Sequence, residues 1–429
     1  MALINEEVIN ILRDQGPVIL LESQSTDHPS SNTSFLAGNP EVEIRAFGDD
    51  ISIHNHVDGT IEKLKLNPWE ALKYFRSAYP GWHFGYLSYD LKDYTTGFYP
   101  EFRPSPKLPD LYFFKPSFLV SEAHNSGSHI ITDNKALIQK PTVFSNQHNK
   151  YPFKTGDLRS NVSKSDYLKC IREAKNMIYE GESYEINLSH QLSSTFSGDP
   201  YGLYLRMKNY GPVPFGVFMQ TKDVSVCSAS PERFLKKTAD KLISEPIKGT
   251  SKRSLSAEED TRLIKELESS VKDRAENLMI VDLVRNDLNR ISRPGTVKVE
   301  ELCKVYSFKT VHQMVSKISS GIREDISPVE SIRSCFPMGS MTGAPKIRAM
   351  ELIEELEQSR RGLYSGAIGY FTPEGNFDFN VVIRTAIIFK GLLTYGIGGA
   401  ITSDSEPENE WEETWIKAKA LQNILNLRF

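Results

Sequence analysis

The chain has 429 residues, long for one compact core and enough for two or three domains. Apolar residues make up 39% and charged residues 25%, ordinary for a globular protein, and the net charge of −4 gives no basic footprint for nucleic acid or an anionic membrane. No apolar run approaches the roughly 20 residues of a spanning helix, and the acidic start (MALINEEVIN) lacks the basic region of a signal peptide, so a cytoplasmic location is expected.

In chain order, residues 17–21, 42–47 and 51–54 read as short strands, followed by the Gly-rich aromatic segment 81–90. Residues 121–156 are rich in Ser, Asn, His, Lys and Pro around a predicted strand at 129–132. The end of that stretch, near 146–156, is the expected boundary between an N-terminal region, 1–150, and a C-terminal domain, 157–429. The latter opens with a predicted helix: Ser163 is its N-cap, and Tyr167, Ile171, Ala174 and Ile178 repeat at helical spacing. A second helix is predicted over 275–285, with Met279, Ile280 and Leu283 as its apolar stripe, and a third over 345–356 with Pro345 in the first turn. Residues 364–401 read as a three-strand meander turning at 373–376 and 390–391. A last helix begins near Pro407, with Trp411, Trp415, Ala418 and Leu425 on one face. Strands and helices mix without regular alternation, which predicts the α+β class rather than a doubly wound sheet. Cys170, Cys227, Cys303 and Cys335 show no metal-ligand spacing and read as apolar buried thiols.

Six features have both a chemical and a plain reading. Glu276 shares a helix face with apolar residues, where a carboxylate needs a cation or donors; pairing with Arg274 is the plain alternative. Asp404, Glu406, Glu408, Glu410, Glu412 and Glu413 crowd a helix start, which the macrodipole favours. Two carboxylates from distant helices would equally make an open Mg²⁺ site. Residues 339–346 (GSMTGAPK) lead into a helix whose free N–H groups suit an anion, or form an ordinary tight turn; the lysine spacing excludes a P-loop. Gly398-Gly399-Ala400 ends a strand and either brings backbone donors to a ligand or simply turns. Arg384, in a strand predicted over 379–389, lies on the face of Val382, Ala386 and Ile388, and its fork needs a carboxylate from a substrate or from a structural Asp or Glu. Lys248 follows the strand 242–247; burial with Lys252 and Arg253 nearby would lower its pKa toward a nucleophile, whereas a solvated charge is the ordinary use of lysine.

Ser230-Pro-Glu-Arg-Phe234, Pro246-Ile-Lys-Gly-Thr250, Ala275-Glu-Asn-Leu-Met279, Asp282-Leu-Val-Arg-Asn-Asp287, Gly343-Ala-Pro-Lys346, Tyr364-Ser-Gly-Ala-Ile-Gly-Tyr370, Val382-Ile-Arg384 and Glu410-Trp-Glu-Glu-Thr414 occur in this order. Together they resemble the chorismate-binding enzymes, a family that includes component I of anthranilate synthase and of aminodeoxychorismate synthase, and the isochorismate and salicylate synthases. The resemblance runs from about Ser163 onward, and Leu20-Leu-Glu-Ser23 and Gly85-Tyr-Leu-Ser-Tyr-Asp90 resemble the N-terminal part of the first two. It implies two orthogonally packed antiparallel sheets with helices outside. It also implies Glu276 and Glu413 as Mg²⁺ ligands, and Gly249, Thr250, Tyr364, Arg384, Gly398, Gly399 and Ala400 as chorismate contacts. Glu232 matches the acid/base glutamate near the C4 hydroxyl.

Lys248 separates the subfamilies: anthranilate synthases usually read Pro-Ile-Ala-Gly-Thr, whereas aminodeoxychorismate synthases carry Lys there. The resemblance therefore implies amination of chorismate at C4, toward para-aminobenzoate and folate. In that reaction Mg²⁺ holds the ring carboxylate, Lys248 attacks C2 and Glu232 protonates the leaving hydroxyl. The alternatives are an anthranilate synthase, which aminates C2 and releases pyruvate, and a non-catalytic subunit that only binds an amidotransferase. No cysteine lies in a Gly-x-Cys-x-Gly elbow, so ammonia is expected from a partner glutamine amidotransferase subunit or from free ammonium. Gln313 stands where anthranilate synthases usually have His, and His312 faces away if the segment is extended. Asn289 and Ala400 replace frequent glycines; Asn tolerates left-handed backbone, but Ala would be strained if position 400 required it. Pro212-Val-Pro-Phe-Gly216 departs from the Pro-Tyr-Met pattern of the family's tryptophan site, so feedback by tryptophan is not expected.

Overall fold

The structure, a computed structural model, describes residues 3–24, 32–97, 108–124, 127–131, 151–309 and 311–426. Its strand pairs are antiparallel and join through shared strands into one continuous network, with helices between them, so the class is α+β as expected. Two long strands each pair with three or more others. Thr33–Phe47 pairs with Val18–Glu22, Asp50–Asn55 and Leu111–Ala123. Glu185–Gly198 runs beside Leu392–Ile401 and meets Gly343–Ala344 at its start. The N-terminal strands are stitched in at two places, with Ile19 opposite Met219 and Gly85 opposite Gly369. The boundary expected near 146–156 falls partly outside the described residues, which resume at 151, and Thr132 lies outside them; the strand predicted over 129–132 is described as Gly127–Ile130.

Capping sets the helix starts. Ser163 Oγ accepts from Asp166 N and begins Lys164–Tyr179, as its sequence predicts. The helix predicted over 275–285 is longer, Val271–Asn289, because Ser270 caps it by accepting from Asp273 N. Its buried face is Asn277, Ile280, Val281, Val284 and Leu288, which leaves Met279 and Leu283 on a half-buried edge with Glu276. Asn289 ends this helix without a positive φ. Cys227, Cys303 and Cys335 are buried free thiols, and Cys170 is half-buried.

The predicted meander has four strands: Ala367–Phe371, Phe377–Asn380, Thr385–Phe389 and Leu392–Ile401. The strand expected over 379–389 is broken because the chain changes partners. Phe377–Asn380 pairs with Arg233–Thr238, whereas Thr385–Phe389 pairs with Val224–Ser230. Between them, Val381 N and Val382 N donate to the carbonyls of Glu232 and Gly366. Arg384 sits in this break with a left-handed φ of 50°, not on a strand face. Gly398-Gly399-Ala400 likewise belongs to the strand Leu392–Ile401 and is not a turn; Ala400 has no positive φ, so the strain conceived for it does not arise.

One buried ion group ties Arg233–Thr238 to Phe377–Asn380 and to the neighbouring strand Lys241–Glu245. Arg233, 1% exposed, makes two bonds to Asp378 (Nε–Oδ1 2.8 Å, Nη2–Oδ2 2.9 Å) and also donates to Glu245. Loss of the cation would strand two carboxylates, so Arg233→Met is expected to lower stability by about 3–5 kcal/mol in urea unfolding.

Candidate active site

A cavity of about 430 Å³ collects every residue the motifs single out: Glu232, Lys248, Gly249, Thr250, Glu276, Tyr364, Arg384, Gly398, Gly399, Ala400 and Glu413 all line it. They come from sequence positions far apart, brought together by the pairing of Glu185–Gly198 with Leu392–Ile401 and by the helices Val271–Asn289 and Pro407–Asn426.

Lys248 is aimed into the cavity by an irregularity in its own strand. Ile247–Lys252 pairs with Val311–Gly321, but the register shifts between Ile247 and Thr250. Gly249 sits in the shift at φ +86°, a conformation that costs a residue with a Cβ, and a Cβ there would also press on Asp273 at 3.0 Å. The Lys248 side chain is 10% exposed, and its Nζ donates to Glu185 Oε1 at 2.6 Å. Burial works to lower the ammonium's pKa, but the carboxylates of Glu185, Glu276 and Glu232 outweigh it and hold it above the ordinary lysine value. This corrects the sequence expectation. Arg253 pairs instead with Asp260 at 2.9 Å, and neither it nor Lys252 lines the cavity.

Glu232 is 4% exposed and accepts from Ser340 Oγ at 2.7 Å. Burial pushes its pKa up to about 7, against the opposing pull of Ser340 and Lys248. Arg384 has no carboxylate within ion-pair distance among the described residues, so a structural Asp or Glu partner is not what holds it. Burial lowers its pKa, the mark of a cation short of a counter-ion. Tyr364 is buried with its ring against Gly396, where a Cβ would lie 2.2 Å from the ring. Behind it, buried Arg361 donates to Glu357 and to the carbonyls of Met341 and Asn187, which fixes this wall. Gln313 lines the cavity, while His312 faces away and binds Asp260 at 2.9 Å.

The far wall carries the carboxylates. Glu276 lies 3.9 Å from Lys272, not against Arg274, and burial raises its pKa to about 7. Lys272 is also 3.5 Å from Glu410, and Lys417 is 2.8 Å from Glu413. Burial works to raise the Glu413 pKa, but Lys417 together with Lys272 and Lys248 outweighs it and the net shift is downward. Of the acidic run 404–413, only Glu410 and Glu413 reach the cavity. Glu276 and Glu413, half-buried and already drawing ammonium groups to themselves, are oxygen donors of the kind a hard divalent cation such as Mg²⁺ takes.

Sequence reasoning missed Glu185, Ser340, Lys272 and Lys417. Glu185 is 0% exposed and its Oε2 has no hydrogen-bond partner among the described residues. Its only signal was a glutamate opening a strand whose Ile186, Leu188, Leu192 and Phe196 alternate with polar residues. In the segment 339–346 Ser340 reaches the cavity, whereas Lys346 binds Asp287 (2.5 Å) and Pro337 O (2.6 Å). A separate cavity of about 110 Å³ brings Leu21, Glu22 and Ser23 beside Pro214, Phe215 and Gly216. Glu43, His54 and His56, with ligand atoms within 4.8 Å of one another, lie outside both cavities.

This fold and cavity define a chorismate-binding enzyme, and the comparisons agree. The profile of the chorismate binding enzyme family matches residues 16–423, and the chain belongs to that family. It is 44% identical over 276 residues to the aminodeoxychorismate synthase of Streptomyces griseus, covering 64% of this chain and 38% of that one. It is 39% identical over 267 residues to aminodeoxychorismate synthase component 1 of Escherichia coli (strain K12), covering 62% and 59%. The chain thus spans less than two thirds of the length of these relatives. Anthranilate synthase component I from Streptococcus pneumoniae TIGR4 superposes with a TM-score of 0.78 at 27% identity, covering 92% of this chain and 93% of that one. Among the described residues no helix is long and apolar enough to cross a membrane.

Proposed function

We propose that this chain is the chorismate-aminating component of an aminodeoxychorismate synthase, converting chorismate and ammonia to 4-amino-4-deoxychorismate. One observation carries the reading: Lys248, its side chain only 10% exposed, shares a single cavity with buried Glu232 and with Arg384, which has no ion-pair partner among the described residues. The names of the relatives at 39% and 44% identity support it.

Arg384 and the Leu392–Ile401 backbone would bind the substrate's carboxylates. Glu276 and Glu413 would hold Mg²⁺, which when bound neutralises a ring carboxylate and draws electrons from the diene. Lys248, as the free amine, bonds through Nζ to ring C2 while the double bonds shift and the C4–O bond breaks. Glu232 gives its proton to the departing hydroxyl, which leaves as water. Ammonia then bonds to C4, the C2–N bond breaks and Lys248 is released. Glu232 takes back a proton from the new ammonium. Tyr364 and the wall fixed by Arg361 keep the ring in line. The ammonia is supplied by a partner glutamine amidotransferase, and the site of action is the cytoplasm.

The test is product identity. Purified chain given chorismate, ammonium and Mg²⁺ is expected to form 4-amino-4-deoxychorismate by chromatography and mass, and a chelator is expected to stop it until Mg²⁺ is restored. Fluorescent anthranilate as the product, with no lyase added, would overturn the reading.

A further inference from the structure

We propose that Glu185 is the positioning residue that takes the proton from the Lys248 ammonium and so makes the nucleophile; this rests on the lysine chemistry proposed above. Lys248 is held as an ammonium by surrounding carboxylates, and an ammonium has no electron pair with which to attack carbon. With the Lys248 side chain only 10% exposed, a protein group beside it is better placed than water to remove that proton. Glu232 is engaged with Ser340 and must keep its own proton for the leaving hydroxyl. Glu276 lies beyond ion-pair distance of Lys248, and Glu185 is the carboxylate within it among the described residues, at 2.6 Å.

Three features fit Glu185 to the task. It does not line the cavity, so it sits behind the lysine and acts only through it. Its backbone is pinned: its carbonyl accepts from Ser183 Oγ at 2.9 Å, and the residue pairs with Ala344. Its side chain is 0% exposed, so the carboxylate meets Lys248 out of contact with solvent. In the step, an N–H bond of Lys248 breaks, its electron pair stays on Nζ, and the proton forms an O–H bond on Glu185. Rotation about Cε–Nζ then turns that pair into the cavity. The proton sits on Oε1, the oxygen that faces Nζ, and a second lone pair of that oxygen accepts from a remaining N–H. The proton returns when Lys248 leaves C2.

Glu185→Gln keeps the size and the acceptor oxygen but cannot take a proton. With chorismate, ammonium and Mg²⁺, kcat for aminodeoxychorismate formation is expected to fall about a hundredfold, with KM for chorismate within about threefold of wild type. Glu185→Asp, which retains a carboxyl, is expected to recover part of that kcat, and thermal unfolding midpoints confirm that each variant is folded. An unchanged kcat in Glu185→Gln, or Glu185→Asp falling as far as the glutamine variant, overturns this inference alone. Absence of aminodeoxychorismate from the wild-type reaction overturns the inference together with the reading it rests on.

Discussion

Lys248→Ala is expected to abolish formation of 4-amino-4-deoxychorismate, with kcat down roughly 10³-fold or more and little change in chorismate KM. Of the three lysines that line the cavity among the described residues, Lys272 and Lys417 pair with wall carboxylates, so Lys248 is the one proposed to form the transient bond to C2, whereas the substrate's carboxylates would be bound elsewhere, by Arg384 and by Mg²⁺ on Glu276 and Glu413. Removing it also leaves Glu185 buried without its cation, which by itself destabilises the fold. The double variant Lys248→Ala with Glu185→Gln separates the two effects. It is expected to regain the unfolding midpoint and to remain inactive in the ammonium-dependent assay. An unaffected rate in the single variant would take covalent lysine chemistry out of the mechanism.

Glu232→Gln is expected to lower kcat by about 10²–10⁴, the usual contribution of a positioned acid. The pH dependence carries the sharper signature. Burial holds the carboxyl's pKa near 7, so it is protonated below that value and charged above it. Only the protonated form can give a proton to the leaving hydroxyl. Wild-type kcat is therefore expected to fall by about tenfold per pH unit on the alkaline side of neutrality, and the glutamine variant is expected to lose that limb. Steady-state rates between pH 6 and 9 check the point; a glutamine variant with the same alkaline limb would assign it to another group.

The sequence was most informative where chemistry and motif coincide. The eleven residues assigned from the motifs share one cavity, and Ser163 begins its helix as its type and spacing predict. It was least informative where a long-range partner decides the outcome. The alternation of 379–389 reads as one strand, yet the chain leaves one neighbour for another at Val381, and Arg384 takes a left-handed conformation that no local pattern announces. Lys248 has basic neighbours along the chain, but in space it is met by Glu185, which is 63 residues away. Counting charges along the chain gave the wrong sign for its pKa because the strand irregularity at Gly249 turns the side chain away from its sequence neighbours.

The stitching of the first strands into the rest of the network bears on how the molecule is made. Val18–Glu22 needs Phe215–Gln220, and His83–Leu87 needs Ala367–Phe371, as hydrogen-bonding partners. On a ribosome the early segments emerge long before those partners exist, and although Thr33–Phe47 and Leu111–Ala123 can pair one edge of each, the donors and acceptors of the other edge stay unmatched meanwhile. Final assembly is thus a late event in biogenesis, and the nascent polypeptide has to be kept from sticking to its neighbours until nearly all of it has been synthesised.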